Sequence, residues 1–302
     1  MQRIQQQFGK NLQLATLFQS PTIEQLANLI CQETDSLPLS ALVPIQPSGS
    51  KRPLFCVHPI GGNVLCYMNL ASCLGPEQPF YGLQSLALDK KNTPNTQVEE
   101  MAAHYIEMLQ TVQPQGPYLL AGWSFGGLVA FEMAQQLQEQ GQQVSLLALI
   151  DTYPPSLLNK ELQNQEGQDD ATLFIDLLAD DISPSWEDIK QFEPDERLSY
   201  IIEQAKQVNL IPANFGLAQV DTLLKVYKLN RQAAQSYIPR SYQGRLILFQ
   251  ASDNKQDLAQ EWETLAEQVE NYLVSGNHHT MVRQPHVQIL AEKLQNCLEQ
   301  AV

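Results

Sequence analysis

Ser124 is the residue of this chain best placed to act as a nucleophile. It stands in Gly122-Trp123-Ser124-Phe125-Gly126-Gly127, between a short apolar run, Tyr118–Ala121, and an amphipathic stretch, Leu128–Gln140. A serine flanked by glycines at a strand-to-helix turn is a nucleophile elbow. The serine takes a strained backbone conformation there, and a side chain at Gly122 or Gly126 would collide with a neighbouring strand or helix. The turn lifts the hydroxyl clear of the sheet and sets it at a helix N-terminus, where free backbone N–H groups stabilise negative charge.

An alcohol near neutral pH is a poor nucleophile. Ser124 needs a base, the base needs an orienting acid, and the developing oxyanion needs donors. After a nucleophile elbow the acid and then the histidine follow along the chain. His278, His279 and His286 follow Ser124. His278 and His279 lie in Ser275–Met281, directly after an apolar run, where a catalytic loop belongs. His286 follows Pro285 at the start of the last helix and reads as a surface residue. His58 and His104 precede the serine, and His104, within a helix, reads as structural.

Two aspartates stand past strands in the required interval. Asp151 follows Val144–Ile150, and Asp253 follows Arg245–Phe249 and the pair Ala251-Ser252. Asp151 has the sharper setting, because its segment, ending in Pro154-Pro155, leads straight into a helical insertion. Asp253 is the alternative acid. One oxyanion donor is the Phe125 N–H, immediately after the nucleophile. The second is assigned to the Ile60 N–H, in the turn His58–Gly62, whose glycines let the backbone approach a substrate closely.

These residues need a scaffold that brings strand ends together. From Pro53 onward strands and helices alternate. Leu54–Val57, Phe80–Leu83, Tyr118–Ala121 and Val144–Ile150 read as strands, and the last is apolar enough to be buried on both faces of a parallel sheet. Val64–Leu74, Thr96–Val112 and the stretch ending at Gly141 read as helices. Alternation of this kind implies an open α/β sheet with right-handed crossovers, and with the elbow it specifies the α/β-hydrolase fold. From Pro154 to about Arg240 the pattern is helical and acidic, a lid over the C-terminal edge of the sheet, where open α/β folds bind ligands. Strands resume at Arg245–Phe249 and Asn271–Val274, and a helix, Val287–Leu298, closes the chain. Before the sheet, residues 36–52 are rich in proline and read as a linker. Residues 1–35 read as helix and turn, too short to build a core alone.

At 302 residues the chain holds one large α/β domain and a small appendage. A formal net charge of −15 argues against nucleic acid or an anionic membrane as a partner. No run is a transmembrane helix or a secretory signal. The five cysteines, Cys31, Cys56, Cys66, Cys73 and Cys297, match no metal or redox spacing. They read as apolar packing in a reducing cytoplasm, and no metal is expected.

Four motifs in order carry a family resemblance: Pro53–Gly62, Ala121–Gly127, Leu149–Pro155 and Gly276–Met281. Together they resemble the terminal (type I) thioesterase domains of nonribosomal peptide and polyketide synthases, over about Lys51 to the C-terminus. Within that resemblance the Gly-x-His-x-x-Met pattern implies His278 as the base and Asp151 as the acid. His279 falls where the family often has an aromatic residue. Phe8-Gly9, Leu12–Phe18 and Ser20–Ala27 resemble the last helices of an acyl or peptidyl carrier domain. The carrier segment that takes the phosphopantetheine arm is missing, so the upstream carrier of the same synthase is the implied partner. That carrier's arm presents an acyl or peptidyl thioester, and no cofactor is held directly. The implied reaction is release of the finished chain through a Ser124 acyl-enzyme, by hydrolysis or macrocyclisation. Two other readings are a stand-alone editing thioesterase or esterase, against which the carrier-like segment and linker count, and a non-catalytic binding module of the same fold. The last predicts loss of a triad member, and none is missing.

Overall fold

A computed structural model of the protein describes residues 23–31, 40–89, 94–164, 168–178 and 189–301, with residues 4, 7 and 8. Its strands are β1 (Leu42–Gln46), β2 (Leu54–Val57), β3 (Phe80–Leu83), β4 (Tyr118–Trp123), β5 (Val144–Ile150), β6 (Tyr242–Ala251) and β7 (Ala266–Val274). They form one sheet in the order β1-β3-β2-β4-β5-β6-β7. Only β1 runs antiparallel to its neighbour; the other pairings are parallel.

The described α-helices are α1 (Ile23–Cys31), α2 (Met68–Leu74), α3 (Val98–Gln110), α4 (Phe125–Glu139), α5 (Pro155–Asn164), α6 (Asp170–Leu178), α7 (Pro194–Gln207), α8 (Leu217–Ser236), α9 (Leu258–Trp262) and α10 (Val287–Gln300). Successive strand residues point to opposite faces, so the central strands feed two cores. Leu120, Leu147 and Leu149 pack with α3 and α4, while Leu119, Ala121, Leu146 and Ala148 pack with α2 and α10. Burial on both faces is why β4 and β5 read as unbroken apolar runs. This is an α/β-hydrolase fold, a mostly parallel sheet with flanking helices. Gly141, at φ +71°, ends α4 as expected, with the Gln142 N–H returning to the Leu137 carbonyl.

Helices α5 to α8 lie between β5 and β6; α6 to α8 build a third cluster from Phe174, Ile201, Leu224 and their neighbours, while Leu157 and Leu158 of α5 pack against the core around α4. Ile60, from the turn after β2, packs against that cluster, so the insertion rests on the C-terminal ends of the strands.

Several boundaries differ from the sequence reading. The segment taken as a linker, 36–52, contributes β1, paired with β3 through Leu42–Leu83, Val43–Gly82 and Pro44–Tyr81. Its proline disguised it, but proline is tolerated where a strand lies at an edge and its missing N–H is not needed. Ala41 and Val43 are buried in the core. The predicted helix Val64–Leu74 opens instead with a single 3₁₀ turn, Leu65–Tyr67. Strands β6 and β7 begin earlier than expected; β7 is an edge whose Glu267 and Gln268 face water and blur its apolar pattern. The carrier-like segment, 1–35, lies mostly outside the described residues, as do 165–167 and 179–188 of the insertion.

Candidate active site

The elbow has the geometry its glycines require. Ser124 sits at φ 58° and ψ −126°, a conformation that costs a non-glycine residue about 1–3 kcal/mol. Its N–H bonds the Ile150 carbonyl at 2.9 Å, and its own carbonyl accepts from Gly127 N–H at 3.0 Å. A Cβ at Gly122 would run into the backbone of Gly126 and Gly127. One at Gly126 would meet the Val57 and His58 carbonyls, and one at Gly127 the Thr152 side chain. The glycines thus let α4 start directly against β2, β4 and the end of β5.

Asp151 and His278 come together from 127 residues apart, with Asp151 Oδ2 2.7 Å from His278 Nδ1. Asp151 follows β5 in the left-handed region, φ 41°, which aspartate tolerates better than most side chains. Its N–H bonds the Phe249 carbonyl at 2.8 Å, and Oδ1 accepts from the Ala251 N–H at 2.9 Å. Both contacts are to β6, so the carboxylate is fixed by two strands and is fully buried. A carboxylate only accepts. Nδ1 therefore holds the proton, and Nε2 keeps the lone pair that a general base needs.

The histidine loop is held by its own residues. Gly276 takes φ +95°, and Asn277 Oδ1 accepts from the backbone N–H groups of His279 and Thr280 at 3.0 and 2.9 Å. The His278 ring lies 5.4 Å from the Trp123 ring, 5.1 Å from His279 and 6.4 Å from Tyr153, centroid to centroid. Sequence reasoning missed Trp123, whose indole N–H donates to the His278 carbonyl at 3.1 Å. It also missed Tyr67, whose hydroxyl donates to the Val57 carbonyl at 2.5 Å and accepts from Trp123 N–H at 2.9 Å. An aromatic residue abutting the elbow serine was the available signal for the first; none marked the second.

The turn after β2 is equally determined. His58 is buried, and that burial lowers its pKa from 6.5 to about 4. Its Nδ1–H donates to the Pro59 carbonyl at 2.7 Å, since a carbonyl cannot donate, and its Nε2 then accepts from Tyr105 hydroxyl at 2.8 Å. Gly62 N–H bonds the Pro59 carbonyl at 2.9 Å, and Ser85 N–H bonds the Gly62 carbonyl at 2.8 Å. Between these anchors the Ile60 carbonyl accepts from Asn230 Nδ2, on α8, at 2.8 Å.

Ser124, Ile60 and Phe125 line one small cavity of ≈ 40 Å³ with Leu128, Tyr153, Leu158 and Ala234. Its walls are almost wholly apolar. The other sequence candidates do not join this cavity, although the Asp253 N–H bonds the Gly276 carbonyl of the histidine loop at 3.2 Å. Asp253 is exposed and its carboxylate accepts from the Ser252 hydroxyl, 3.2 Å away. His286 is half-buried, not a surface residue, with Nδ1 2.8 Å from the Ser275 hydroxyl. His104 is half-buried on α3, 3.9 Å from Glu107. In the described residues no helix is long and apolar enough to cross a membrane.

A buried carboxylate, a histidine with a free nitrogen and a strained serine thus stand after β5, β7 and β4, on one edge of the sheet. Comparison with known proteins bears on the family rather than on these residues. The thioesterase-domain family matches residues 52–298. A dimodular nonribosomal peptide synthase of Bacillus subtilis (strain 168) is 34% identical over 258 residues, 83% of this chain and 10% of that protein. The indigoidine synthase of Dickeya dadantii (strain 3937) is 38% identical over 170 residues, 56% of this chain and 11% of that protein. The chain therefore spans only about a tenth of the length of these two relatives. Among solved structures, a four-domain nonribosomal peptide synthetase bound to AMP and glycine superposes with a TM-score of 0.77 at 29% identity, covering 97% of this chain and 23% of that one. The NocB thioesterase domain from the nocardicin cluster shares the fold, with a TM-score of 0.63 at 24% identity over 86% of this chain and 99% of that one. The chain belongs to the thioesterase-domain family, hydrolases of thioesters, in the form found in nonribosomal peptide synthetases.

Proposed function

We propose that this chain releases the finished acyl or peptidyl chain from the carrier of a larger synthase, through a covalent intermediate on Ser124. The hydrogen bond between Asp151 and His278, at 2.7 Å, carries the reading, because it leaves Nε2 free to act as a base on the elbow side of the sheet. The four-domain synthetase matches 97% of the chain, more than the family match over 52–298, which supports a longer synthase around this segment.

In this mechanism His278 Nε2 takes the Ser124 proton as Oγ attacks the thioester carbonyl carbon. The Phe125 and Ile60 N–H groups receive the oxyanion, and a donor so placed is worth about 3–4 kcal/mol. Collapse of the tetrahedral species breaks the carbon–sulfur bond, and His278 returns the proton to the departing phosphopantetheine sulfur. Asp151 stabilises the imidazolium between the two transfers. The acyl-enzyme then yields to water, giving an acid, or to a hydroxyl or amine of the chain itself, giving a ring. Asp253, exposed and bonded to the histidine loop through its backbone N–H rather than to the His278 ring, has no part in this scheme. The arm of the upstream carrier is part of the substrate, and tethering makes its delivery intramolecular, so the docking contact can be weak.

The test is intact-protein mass spectrometry after exposure to a small-thiol thioester of a long acyl chain. A mass gain mapped to the Ser124 peptide, absent in Ser124→Ala, is expected. Turnover without any adduct, and undiminished in Ser124→Ala, would count decisively against covalent catalysis. Products of the same reaction, acid or ring, distinguish the two release routes.

A further inference from the structure

Tyr153 meets both the cavity at the nucleophile and the ring of the base. It lines the space at Ser124 together with Leu158 and Ala234, and its ring stands edge-on to the His278 ring, 6.4 Å away at 69°. The walls of that space are almost wholly apolar, while the Tyr153 hydroxyl lies 3.0 Å from Asn254 Nδ2. What Tyr153 gives to the wall is therefore carbon rather than its hydroxyl. The backbone on either side is held. The Thr152 carbonyl accepts from Trp262 Nε1–H at 2.9 Å, and the Pro154 carbonyl accepts from the Leu157 and Leu158 N–H groups at 3.0 and 2.9 Å. The place of the ring then turns on its own side-chain torsions.

Asn254 acts on those torsions from the loop after β6. Its amide has a set direction: Oδ1 accepts from the Gln256 N–H at 3.1 Å, which leaves Nδ2 to donate to the Tyr153 hydroxyl oxygen. The loop is held in turn by the sheet, because Nε2 of the buried Gln250 donates to the Asn254 and Gln256 carbonyls at 3.2 and 2.8 Å. Its main chain reaches the strand and loop that carry the base. Ser252 N–H bonds the Val274 carbonyl at 2.7 Å, and Asp253 N–H bonds the Gly276 carbonyl at 3.2 Å. Three consecutive residues thus brace the histidine loop with their backbone and the cavity wall with one side chain.

We infer that Tyr153 is a specificity-determining residue: its ring, held in place by Asn254, closes the acyl site to thioesters with a bulky group beside the carbonyl and admits those with hydrogen or methyl there. This rests on the release mechanism proposed above, since the cavity is an acyl site only if Ser124 is the nucleophile. A space of ≈ 40 Å³ does not take an aromatic substituent. Removing a phenol ring from its wall makes room for one.

The experiment measures kcat/KM of the whole chain for small-thiol thioesters of N-acetylalanine and N-acetylphenylalanine, with thermal midpoints in parallel. The wild type is expected to favour the alanine thioester about 10–100-fold. Tyr153→Ala should raise kcat/KM for the phenylalanine thioester about 10-fold above wild type, a gain that damage to the fold does not produce. Tyr153→Leu, expected to move the same way, replaces it if it does not fold. Tyr153→Phe and Asn254→Ala keep the ring and remove its hydrogen bond, so each should narrow the preference about threefold. The double variant should narrow it no further than either alone, because both changes delete one interaction. Turnover of the phenylalanine thioester within twofold of wild type in a folded Tyr153→Ala or Tyr153→Leu protein would overturn the inference, as would a wild type indifferent to the two thioesters. Additive effects of Tyr153→Phe and Asn254→Ala would overturn the part given to Asn254. Turnover by the wild type without an adduct on Ser124, read by mass spectrometry, would instead remove the mechanism beneath the inference.

Discussion

Trp123 and His278 are joined twice: the indole N–H donates to the histidine's own carbonyl at 3.1 Å, and the two rings lie 5.4 Å apart. The residue before the nucleophile thereby holds the loop that carries the base, although the two lie 155 residues apart. Trp123→Phe keeps a ring and removes the hydrogen bond, a loss of about 1 kcal/mol. Acylation is expected to slow about tenfold with KM nearly unchanged, because a loosened histidine is misplaced rather than absent. Stopped-flow release of the free thiol measures it.

Asp151→Asn tests the proton assignment. The amide can donate to Nδ1 and so favour the tautomer whose lone pair points the wrong way. A loss of about 10⁴-fold in kcat is expected, by analogy with other serine triads, whereas Asp253→Asn should stay within twofold. Comparable losses in the two variants would break the assignment of Asp151.

The elbow itself was readable from local sequence, because the demand for glycine is set by neighbours a few residues away. Gly122 abuts Gly126 and Gly127. The choice of Asp151 over Asp253 was not readable in the same way. Both follow strands, and only the placement of β5 beside β6, with Asp151 Oδ1 on the Ala251 N–H, separates them. The run into Pro154-Pro155 favoured Asp151, and the family resemblance implied the same residue, but neither supplies the contact. Asn230 had no signal: along a helix it reads as one more polar residue, and its meaning depends on a turn 170 residues away. β1 was hidden by a rule that holds for central strands and lapses at edges.

Gly126→Ala should be strongly destabilising. The added methyl meets the Val57 and His58 carbonyls, which are backbone and cannot swing aside. Overpacking of this kind costs about 1–3 kcal/mol, or roughly 2–12 °C for a domain of this size at about 2–4 °C per kcal/mol. Differential scanning calorimetry reads the shift. An unchanged midpoint would mean that β2 and α4 are not in contact.

His58 gives the fold a pH dependence of calculable sign. Its folded pKa, about 4, is below its ordinary 6.5 because burial disfavours the charged ring. The unfolded chain therefore binds more protons between these values, and stability falls as pH drops from 6.5 towards 4. The full span is worth about 3 kcal/mol at 1.36 kcal/mol per pKa unit. Urea midpoints at pH 7 and pH 5 should differ measurably in the wild type. His58→Gln, stable or not, should flatten that slope, and an equal slope in both would show that other groups carry it.

The cavity at Ser124, ≈ 40 Å³ with walls of Leu128, Leu158 and Ala234, has room for a few water molecules or methyl-sized groups. Thioesters with hydrogen or methyl beside the carbonyl should outpace those with a benzyl group by about 10–100-fold in kcat/KM, the usual range for a methylene or more in an apolar pocket. Leu158→Ala should narrow that ratio. A panel of matched thioesters decides it.

The edge strand before Pro53 bears on how this unit can be cut out and joined to another chain. Val43 is wholly buried, and Gln84 N–H bonds the Ala41 carbonyl at 2.7 Å. Gln46 Nε2 bonds the Gly75 and Gln78 carbonyls at 2.7 and 2.8 Å. A graft that begins at Pro53 would strip β3 of its outer partner and leave a bare, pairing-competent flank next to the turn that carries Ile60. The transplantable piece starts no later than Ser40, and any fusion partner has to be attached ahead of it.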